Sequence, residues 1–234
     1  KVVLSRSLTV SSSVPIDPAR LVAVLGQDPS ITSFATVLPG GTPAAPRMLV
    51  GATPELLVSK AGASVVSHPL AGSARRSGDA ARDRAAAADL QRSEKDRFEH
   101  RAVVEAVLDS LSPYCRTLGA PDGTALRSTA TMWHLGTRIC GKLKDPGTPV
   151  TELVAALHPT PAVCGLPRAR AAGVIRDLEG YDRGFYAGAV GYVDRDGDVE
   201  WYVSIRSADI VGQRVTLYAG AGIVHGSDPK REFA

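Results

Sequence analysis

The chain has 234 residues, of which 44% are hydrophobic and 22% charged, and 27 basic against 24 acidic side chains leave a net charge of +3. This composition argues against intrinsic disorder, because enough apolar side chains are present to bury a core. No apolar run approaches the roughly 20 residues that cross a bilayer, and the net charge is too small to indicate a nucleic acid or a membrane as partner.

The three cysteines, Cys115, Cys140 and Cys164, are scattered and odd in number. This usage favours a reduced, cytoplasmic protein over a disulfide framework or a zinc site. The chain opens without Met directly in strand-like sequence and closes without a stop signal. We therefore expect residues 1–234 to be one catalytic domain that is shortened at both ends.

In chain order, alternating apolar and polar residues predict a strand over 1–10, and Asp17-Pro18 predicts the start of a helix over 15–26. The proline- and glycine-rich run 39–46 predicts a hairpin-like loop before a strand over 48–50. A hairpin is predicted over 56–67. Residues 80–111 contain no glycine or proline, which predicts one long helix that Pro113 ends.

The second half of the chain predicts two more helices and an antiparallel meander. The helices are expected at 150–157 and 168–178, and the strands at 188–193, 199–207 and 215–219. Asp196-Gly197 between two β-rich runs is typical of a hairpin. The order of strands, helices and a final meander predicts an α+β or mixed α/β chain with one core.

Asp96 and Glu99 share a face of the predicted long helix, and that face continues as the apolar stripe Val103, Ala106 and Val107. Two carboxylates at the end of a buried stripe need a cation, and Mg²⁺ suits a set of oxygen ligands without clustered Cys or His. An exposed helix turn with ordinary ion pairs is the alternative.

Other candidates are weaker when taken one at a time. Glu55 follows a strand and precedes Leu56-Leu57, a setting that raises a carboxyl pKa toward that of a general acid, although an exposed loop glutamate is the alternative. His134, beside Trp133, has the alternative of a buried structural histidine. The segment 69–76 favours a plain turn, while the prolines in 157–165 predict a rigid loop.

The order and spacing of these segments together resemble the chorismate-utilising enzymes, most closely the isochorismate synthases of siderophore and menaquinone pathways. The segments that carry the resemblance include KVVLSR from Lys1, GATPELL from Gly51, PLAGSARR from Pro69, SEKDRFEH from Ser93, LHPTPAVCGLPR from Leu157 and YAGAGIVHGSDP from Tyr218. The resemblance implies the α+β fold of chorismate-binding enzymes, with antiparallel sheets packed with helices around one active site. It also implies a Mg²⁺-dependent conversion of chorismate to isochorismate.

The resemblance also implies a role for individual residues. Lys1 corresponds to the general base that activates water, and Glu55 to the general acid that protonates the leaving 4-hydroxyl. Glu99 corresponds to a direct Mg²⁺ ligand, Asp96 to a holder of metal-bound water, and Glu232 to a further metal-site carboxylate. The implied substrate-binding residues are Gly72, His134, Ala162, Arg206, Tyr218 and Gly222.

Two alternatives stay open. Lys1 separates the chain from synthases that use ammonia but not from salicylate synthases, which also use water and then eliminate pyruvate; Ala162 favours stopping at isochorismate. A shortened chorismate binder without activity is the other alternative, because the family's second late carboxylate lies beyond residue 234. For the enzyme, the expectation is a monomer, with channelling to an isochorismatase or a menaquinone-pathway enzyme left open.

Overall fold

Three antiparallel sheets form the scaffold in the computed structural model, which describes residues 1–233. The strands of this part are, in chain order, β1 (Val2–Ser11), β2 (Thr32–Thr42), β3 (Ala45–Thr53), β4 (Leu56–Ala61), β5 (Ser64–His68), β6 (Leu70–Arg75), β7 (Cys115–Gly119), β8 (Thr124–Ser128), β9 (Met132–Thr137), β10 (Ile139–Leu143), β11 (Ala189–Val193), β12 (Val199–Val203), β13 (Ser207–Val211) and β14 (Arg214–Ile223). The helices are α1 (Pro18–Leu25), α2 (Ala80–Arg92), α3 (Glu94–Leu111), α4 (Val150–Leu157), α5 (Arg168–Glu179) and α6 (Pro229–Phe233). The predicted α+β class is confirmed.

The strand order of the sheets brings distant segments together. The first sheet runs β1-β14-β13-β3-β2, the second β11-β12-β4-β5-β10-β7, and the third β6-β9-β8. In the first sheet, β1 pairs with β14 along its whole length, from Val2 opposite Ile223 to Ser11 opposite Arg214. The start of β1 therefore lies directly beside the end of β14.

The main core lies where the second sheet meets α3 and α4. Most of its members are aliphatic side chains that are almost fully buried, among them Leu57, Val58, Val65, Val107, Leu111, Ile139, Leu143, Leu153, Leu157 and Val203. Burying each large aliphatic side chain contributes about 1.5–3 kcal/mol, so this cluster fixes how α3 lies on the sheet. The amino-terminal half of α3 extends past the core toward the first and third sheets.

The prediction of one helix over 80–111 is wrong, because two helices meet at Ser93 (φ −60°, ψ 111°). The Ser93 hydroxyl oxygen accepts a hydrogen bond from the Asp96 amide at 3.2 Å, which caps α3. The Ser93 amide in turn donates to the Asp89 carbonyl at 2.9 Å and closes α2. A serine side chain can thus replace the helical hydrogen bond, and composition alone does not reveal it. The break starts a new helix that carries Asp96 and Glu99.

Three further boundaries differ from the prediction. The hairpin expected at 39–46 forms, but the run is mostly strand, because the β2–β3 turn is confined to 43–44. Pro39, Gly40 and Gly41 lie in a bulged part of edge strand β2, and Pro46 lies in β3. The expected strand 199–207 is divided into β12 and β13 by residues 204–206. The segment 69–76, for which a plain turn is favoured, instead forms β6 in the third sheet.

Several local predictions are confirmed. Strand β1, the β4–β5 hairpin and helices α4 and α5 lie where the sequence places them. Asp17 caps α1 by accepting hydrogen bonds from the Ala19 and Arg20 amides.

All three cysteines are free thiols. Within residues 1–233, no helix has the length and apolar character needed to cross a membrane.

The cap at the α2–α3 break provides a stability test. Replacing Ser93 by Ala removes the acceptor for the Asp96 amide, and we expect the free energy of unfolding to fall by about 1 kcal/mol, the usual cost of losing an N-cap. Ser112→Ala at the exposed carboxyl end of α3 is the control and should have a smaller effect. Chemical denaturation of both variants measures this; equal stabilities would contradict the capping role.

Candidate active site

A buried ion pair joins the first residue of the chain to α3. The Lys1 Nζ atom lies 2.9 Å from the Glu99 Oε1 atom, and the two side chains are only 5% and 9% exposed. Lys1 precedes β1 directly, whereas Glu99 lies in the second turn of α3. Two segments that are distant in the sequence therefore bring opposite charges together out of bulk water.

Two glycines allow α3 to approach the sheets this closely. Gly222 lies in β14, opposite Val3 of β1. A Cβ atom at Gly222 would lie 2.1 Å from Glu99 Oε1. At Gly72 in β6, where φ is +76°, a Cβ atom would lie 3.0 Å from the Asp96 Cβ. A side chain at either position would displace a carboxylate of α3, so both predicted glycine positions lie at this site.

Glu55 lies in the connection between β3 and β4 and is only 3% exposed, so the alternative of an exposed loop residue is wrong. Burial raises its pKa to about 8, against the opposing effects of the Leu70 amide and of the Lys1 and Arg206 charges. Glu55 is therefore mostly protonated at neutral pH. Its Oε1 atom is buried and, within residues 1–233, has no hydrogen-bond partner.

Arg206, His134 and Ser73 form a hydrogen-bonded chain beside Glu55. Arg206 has φ +51° at the break between β12 and β13, and its Nη2 atom donates to Nε2 of His134 in β9. Because a guanidinium is only a donor, His134 Nε2 accepts, and its Nδ1 proton points to the Ser73 hydroxyl at 2.7 Å. Burial, followed by the Arg206 charge, lowers the pKa of His134 to about 4, which keeps the ring neutral.

The guanidinium of Arg206 is partly buried and donates hydrogen bonds to the uncharged side chains of His134 and Thr129. Within residues 1–233, no carboxylate forms an ion pair with it. Burial lowers its pKa, while the charges of Asp28 and Glu55 act in the opposite direction. A cation in this setting suits an anionic ligand, which it can bind through two parallel hydrogen bonds.

Lysines pair with two of the three predicted metal carboxylates. Glu99 pairs with Lys1, while Glu232 in α6 pairs with Lys95 in the first turn of α3. Desolvation lowers the pKa of Lys95, but the hydrogen bond and charge of Glu232 and the charges of Asp96 and Glu99 raise it above its ordinary value. In the described part of the chain, no three Asp, Glu, His or Cys side chains are arranged as a metal-binding group.

The metal-binding role of these three carboxylates stays a prediction. Within the described residues, ammonium groups pair with two of them. The donor chemistry nevertheless suits Mg²⁺, because the carboxylate oxygens of Glu99 and Glu232 each already hold a cationic group.

The two remaining predicted residues, Ala162 and Tyr218, lie in a loop and in a strand, respectively. Ala162 is half-buried in the loop before Gly165, and this loop is hydrogen-bonded to the start of β1: the Val3 amide donates to the Cys164 carbonyl at 2.9 Å. Tyr218, in β14, stacks on Tyr186 with ring centroids 4.9 Å apart. The structure thus joins Ala162 to the Lys1 strand and places Tyr218 in an aromatic stack further along β14.

The sequence reasoning missed three residues of the site. Ser73 is hydrogen-bonded to His134, and Thr129 to Arg206. Lys95 forms an ion pair with Glu232. Lys95 lies in the same helical segment as Asp96, so its position beside the carboxylates was a usable signal. The two hydroxyl residues carry no local pattern, since their role depends on strand pairing between distant segments.

Comparison with known proteins relates this arrangement to one family. A family model described as "Chorismate binding enzyme" matches residues 1–234. The chain is 49% identical over 235 residues to isochorismate synthase DhbC of Bacillus subtilis, covering 100% of this chain and 59% of that protein.

Two solved structures have the same fold. The first, from Bacillus anthracis and assigned as DhbC, a 2,3-dihydroxybenzoate-specific isochorismate synthase, has a TM-score of 0.96 and 46% identity, covering 99% of this chain and 62% of that one. The second, MenF, the menaquinone-specific isochorismate synthase of Escherichia coli, has a TM-score of 0.87 and 30% identity, covering 99% and 52%. The chain thus spans a little over half the length of these relatives.

The raised pKa of Glu55 predicts a pH-dependent stability. Between its ordinary value of 4.5 and about 8, the folded protein retains a proton that the unfolded chain has released, so Glu55 destabilises the fold increasingly as pH rises. Each unit of elevation corresponds to about 1.4 kcal/mol. We expect Glu55→Gln to unfold at a higher temperature than the wild type at pH 8 and at nearly the same temperature at pH 4.5.

Calorimetry across this pH range measures the difference. Glu94→Gln, on the exposed side of the first turn of α3, is the matched control and should follow the wild type at every pH. Parallel pH curves for Glu55→Gln and the wild type would mean that Glu55 is ionised in the folded protein.

Proposed function

We propose that this chain, which belongs to the chorismate-binding enzyme family, carries the active site of an isochorismate synthase that interconverts chorismate and isochorismate. One observation supports this above the others: a buried ammonium, a protonated carboxyl and a guanidinium that has no carboxylate partner within residues 1–233 lie in one site. These groups match a reaction that needs a base, an acid and an anion-binding residue. The names of the similar proteins support the same substrate and product.

In the proposed reaction, water attacks ring carbon 2 while the 4-hydroxyl leaves from the opposite side. Lys1 takes a proton from the attacking water, and Glu55 donates a proton to the departing oxygen. The burial of Glu55 supports its role, because the carboxyl holds a proton at neutral pH and its Oε1 atom is unpaired inside the site. Lys1 must lose its proton before it can act, so its contact with Glu99 has to loosen in the reactive complex.

The substrate is a dicarboxylate, and the site offers donors for it. We assign one substrate carboxylate to Arg206, which His134 orients through its acceptor nitrogen. Gly72 and Gly222 keep the backbone close to the carboxylates of α3, so the substrate can lie against β6 and β14. Ala162 borders the ring through its loop, and Tyr218 completes the pocket on the β14 side.

Magnesium is part of the proposal. Glu99 and Glu232 would hold the ion, with Asp96 beside them, and a bound Mg²⁺ would neutralise and orient a substrate carboxylate. The support is chemical: these oxygens already bind cationic groups in a partly buried setting.

The proposed reaction ends at isochorismate, which can feed either siderophore or menaquinone synthesis. The similar proteins include both a 2,3-dihydroxybenzoate-specific and a menaquinone-specific synthase. A cytoplasmic monomer that passes its product to an isochorismatase or a menaquinone-pathway enzyme also belongs to the proposal. The free thiols support a reducing compartment.

Product analysis tests the reaction. With chorismate and Mg²⁺, we expect isochorismate as the product and no turnover after the metal is chelated. Salicylate together with pyruvate would instead identify a salicylate synthase. Chorismate binding without any product would identify a non-catalytic binder, and absence of binding would reject the family function for this chain.

Lys1→Ala should lower kcat by about 100-fold or more, the contribution expected of a positioned general base. Lys1→Arg distinguishes the role of Lys1 as a base from its role as the cation that pairs with Glu99. Arginine keeps the positive charge but does not deprotonate near neutral pH. We expect both variants to be equally impaired in steady-state assays. A Lys1→Arg enzyme with wild-type kcat would show that only the charge matters.

Glu99→Ala should abolish activity at every Mg²⁺ concentration, because it removes a carboxylate that would bind the ion and pair with Lys1. Glu105→Ala, on the exposed side of the same helix, is the control and should keep the wild-type Mg²⁺ dependence. Activity titrations with Mg²⁺ and direct calorimetric binding measure both effects. A Glu99→Ala enzyme that saturates with Mg²⁺ as the wild type does would exclude Glu99 as a ligand.

A further inference from the structure

A second buried ion pair lies behind the site, outside the groups assigned to the reaction. Glu179 ends α5, and Arg183 follows it four residues later; their side chains are 2% and 15% exposed. The Arg183 Nε atom donates to Glu179 Oε2 at 2.8 Å, and Nη2 donates to Oε1. None of the residues proposed to contact chorismate or Mg²⁺ belongs to this pair.

The pair holds the backbone of two segments that carry proposed site residues. Arg183 Nη2 also donates to the Val3 carbonyl, and Nη1 donates to the Val163 carbonyl, each at 2.8 Å. Glu179 Oε1 accepts the Ser5 amide at 2.7 Å and the Ser5 hydroxyl at 3.0 Å. One guanidinium thus binds strand β1 and the loop before Gly165 at the same time.

These anchor points lie next to proposed site residues. Val3 is two residues from Lys1 in the same extended segment, and Val163 directly follows Ala162. Backbone hydrogen bonds continue the connection, because the Val3 amide donates to the Cys164 carbonyl and the Leu166 amide donates to the Lys1 carbonyl at 3.0 Å. A shift of the Arg183 guanidinium would therefore move the Lys1 strand relative to the Ala162 loop.

The chemistry of the pair favours a geometric role. Desolvating two charges offsets most of their attraction, so a buried ion pair is a poor source of net stability. An arginine, however, directs several N–H groups from one rigid plane, which a lysine cannot do. Here those groups reach Glu179, Val3 and Val163 together.

We propose that Glu179 and Arg183 are positioning residues that fix the Lys1 strand against the Ala162 loop, so that the base meets the substrate at the right distance. This inference rests on the proposed function, because it concerns the placement of the proposed base. Both residues act through backbone contacts and touch no reacting atom. A small misplacement of a catalytic group is enough to lower a rate by up to about 100-fold.

The test compares Arg183→Lys with Arg176→Lys in the same protein. Arg183→Lys keeps the charge but loses the planar set of donors, and we expect kcat to fall about 10- to 100-fold with KM for chorismate within about twofold. Arg176 lies on α5 as well and is exposed, so its variant should match the wild type. If Arg183→Lys does not fold, Glu179→Gln is the second variant and should show the same fall in kcat with a nearly unchanged KM for chorismate.

Hydrogen exchange followed by mass spectrometry gives a readout that does not depend on activity. We expect faster exchange in Arg183→Lys confined to peptides covering residues 2–5 and 160–166. Wild-type kcat, or losses of kcat, substrate binding and global stability in parallel, would overturn the inference. If the wild type does not convert chorismate, the proposed function fails. Faster exchange confined to these peptides would then still show that Arg183 holds β1 against the Ala162 loop, and unchanged exchange would reject this.

Discussion

The contact between Lys1 and Glu99 is the constraint on which the rest of the site depends. Two charged groups leave water at this point, and their attraction must offset a large desolvation cost. That offset requires a short contact, which in turn requires α3 to lie almost against β14. Gly222 permits it, because any larger residue would occupy the position of the Glu99 carboxylate. The Lys1–Glu99 pair thus depends on a glycine at position 222 and on the placement of α3 against β14.

Burial sets the protonation state of two groups of the site. Glu55 is buried and forms no ion pair within residues 1–233, so desolvation dominates and the carboxyl keeps its proton. Burial, followed by the Arg206 charge, keeps His134 neutral, so its Nε2 atom can accept the hydrogen bond from Arg206. Burial thereby provides a proton donor and a neutral hydrogen-bond acceptor within one site.

Much of this arrangement could be predicted from the sequence, and the failures have physical causes. The helical period places Asp96 and Glu99 on one face correctly, but the hydroxyl of Ser93 divides the helix, and a capping serine looks like any polar residue of a helix. The break at Arg206 depends on a positive φ that the neighbouring side chains do not signal. The hydrogen bonds of Ser73 and Thr129 depend on strand pairing, which no local pattern encodes.

The site is assembled from segments that touch only in the completed fold. Lys1 arrives with β1, Glu55 with a connection between two sheets, Glu99 with α3 and Arg206 with the break before β13. The pairing of β1 with β14 joins residues more than 200 positions apart, from Val2 with Ile223 to Ser11 with Arg214. Such contacts form only after a large loss of chain entropy, so they belong to the late and cooperative part of folding. The proposed base therefore reaches its place only when the first sheet is complete, so residues that hold β1 in position can act on the proposed reaction without touching the substrate.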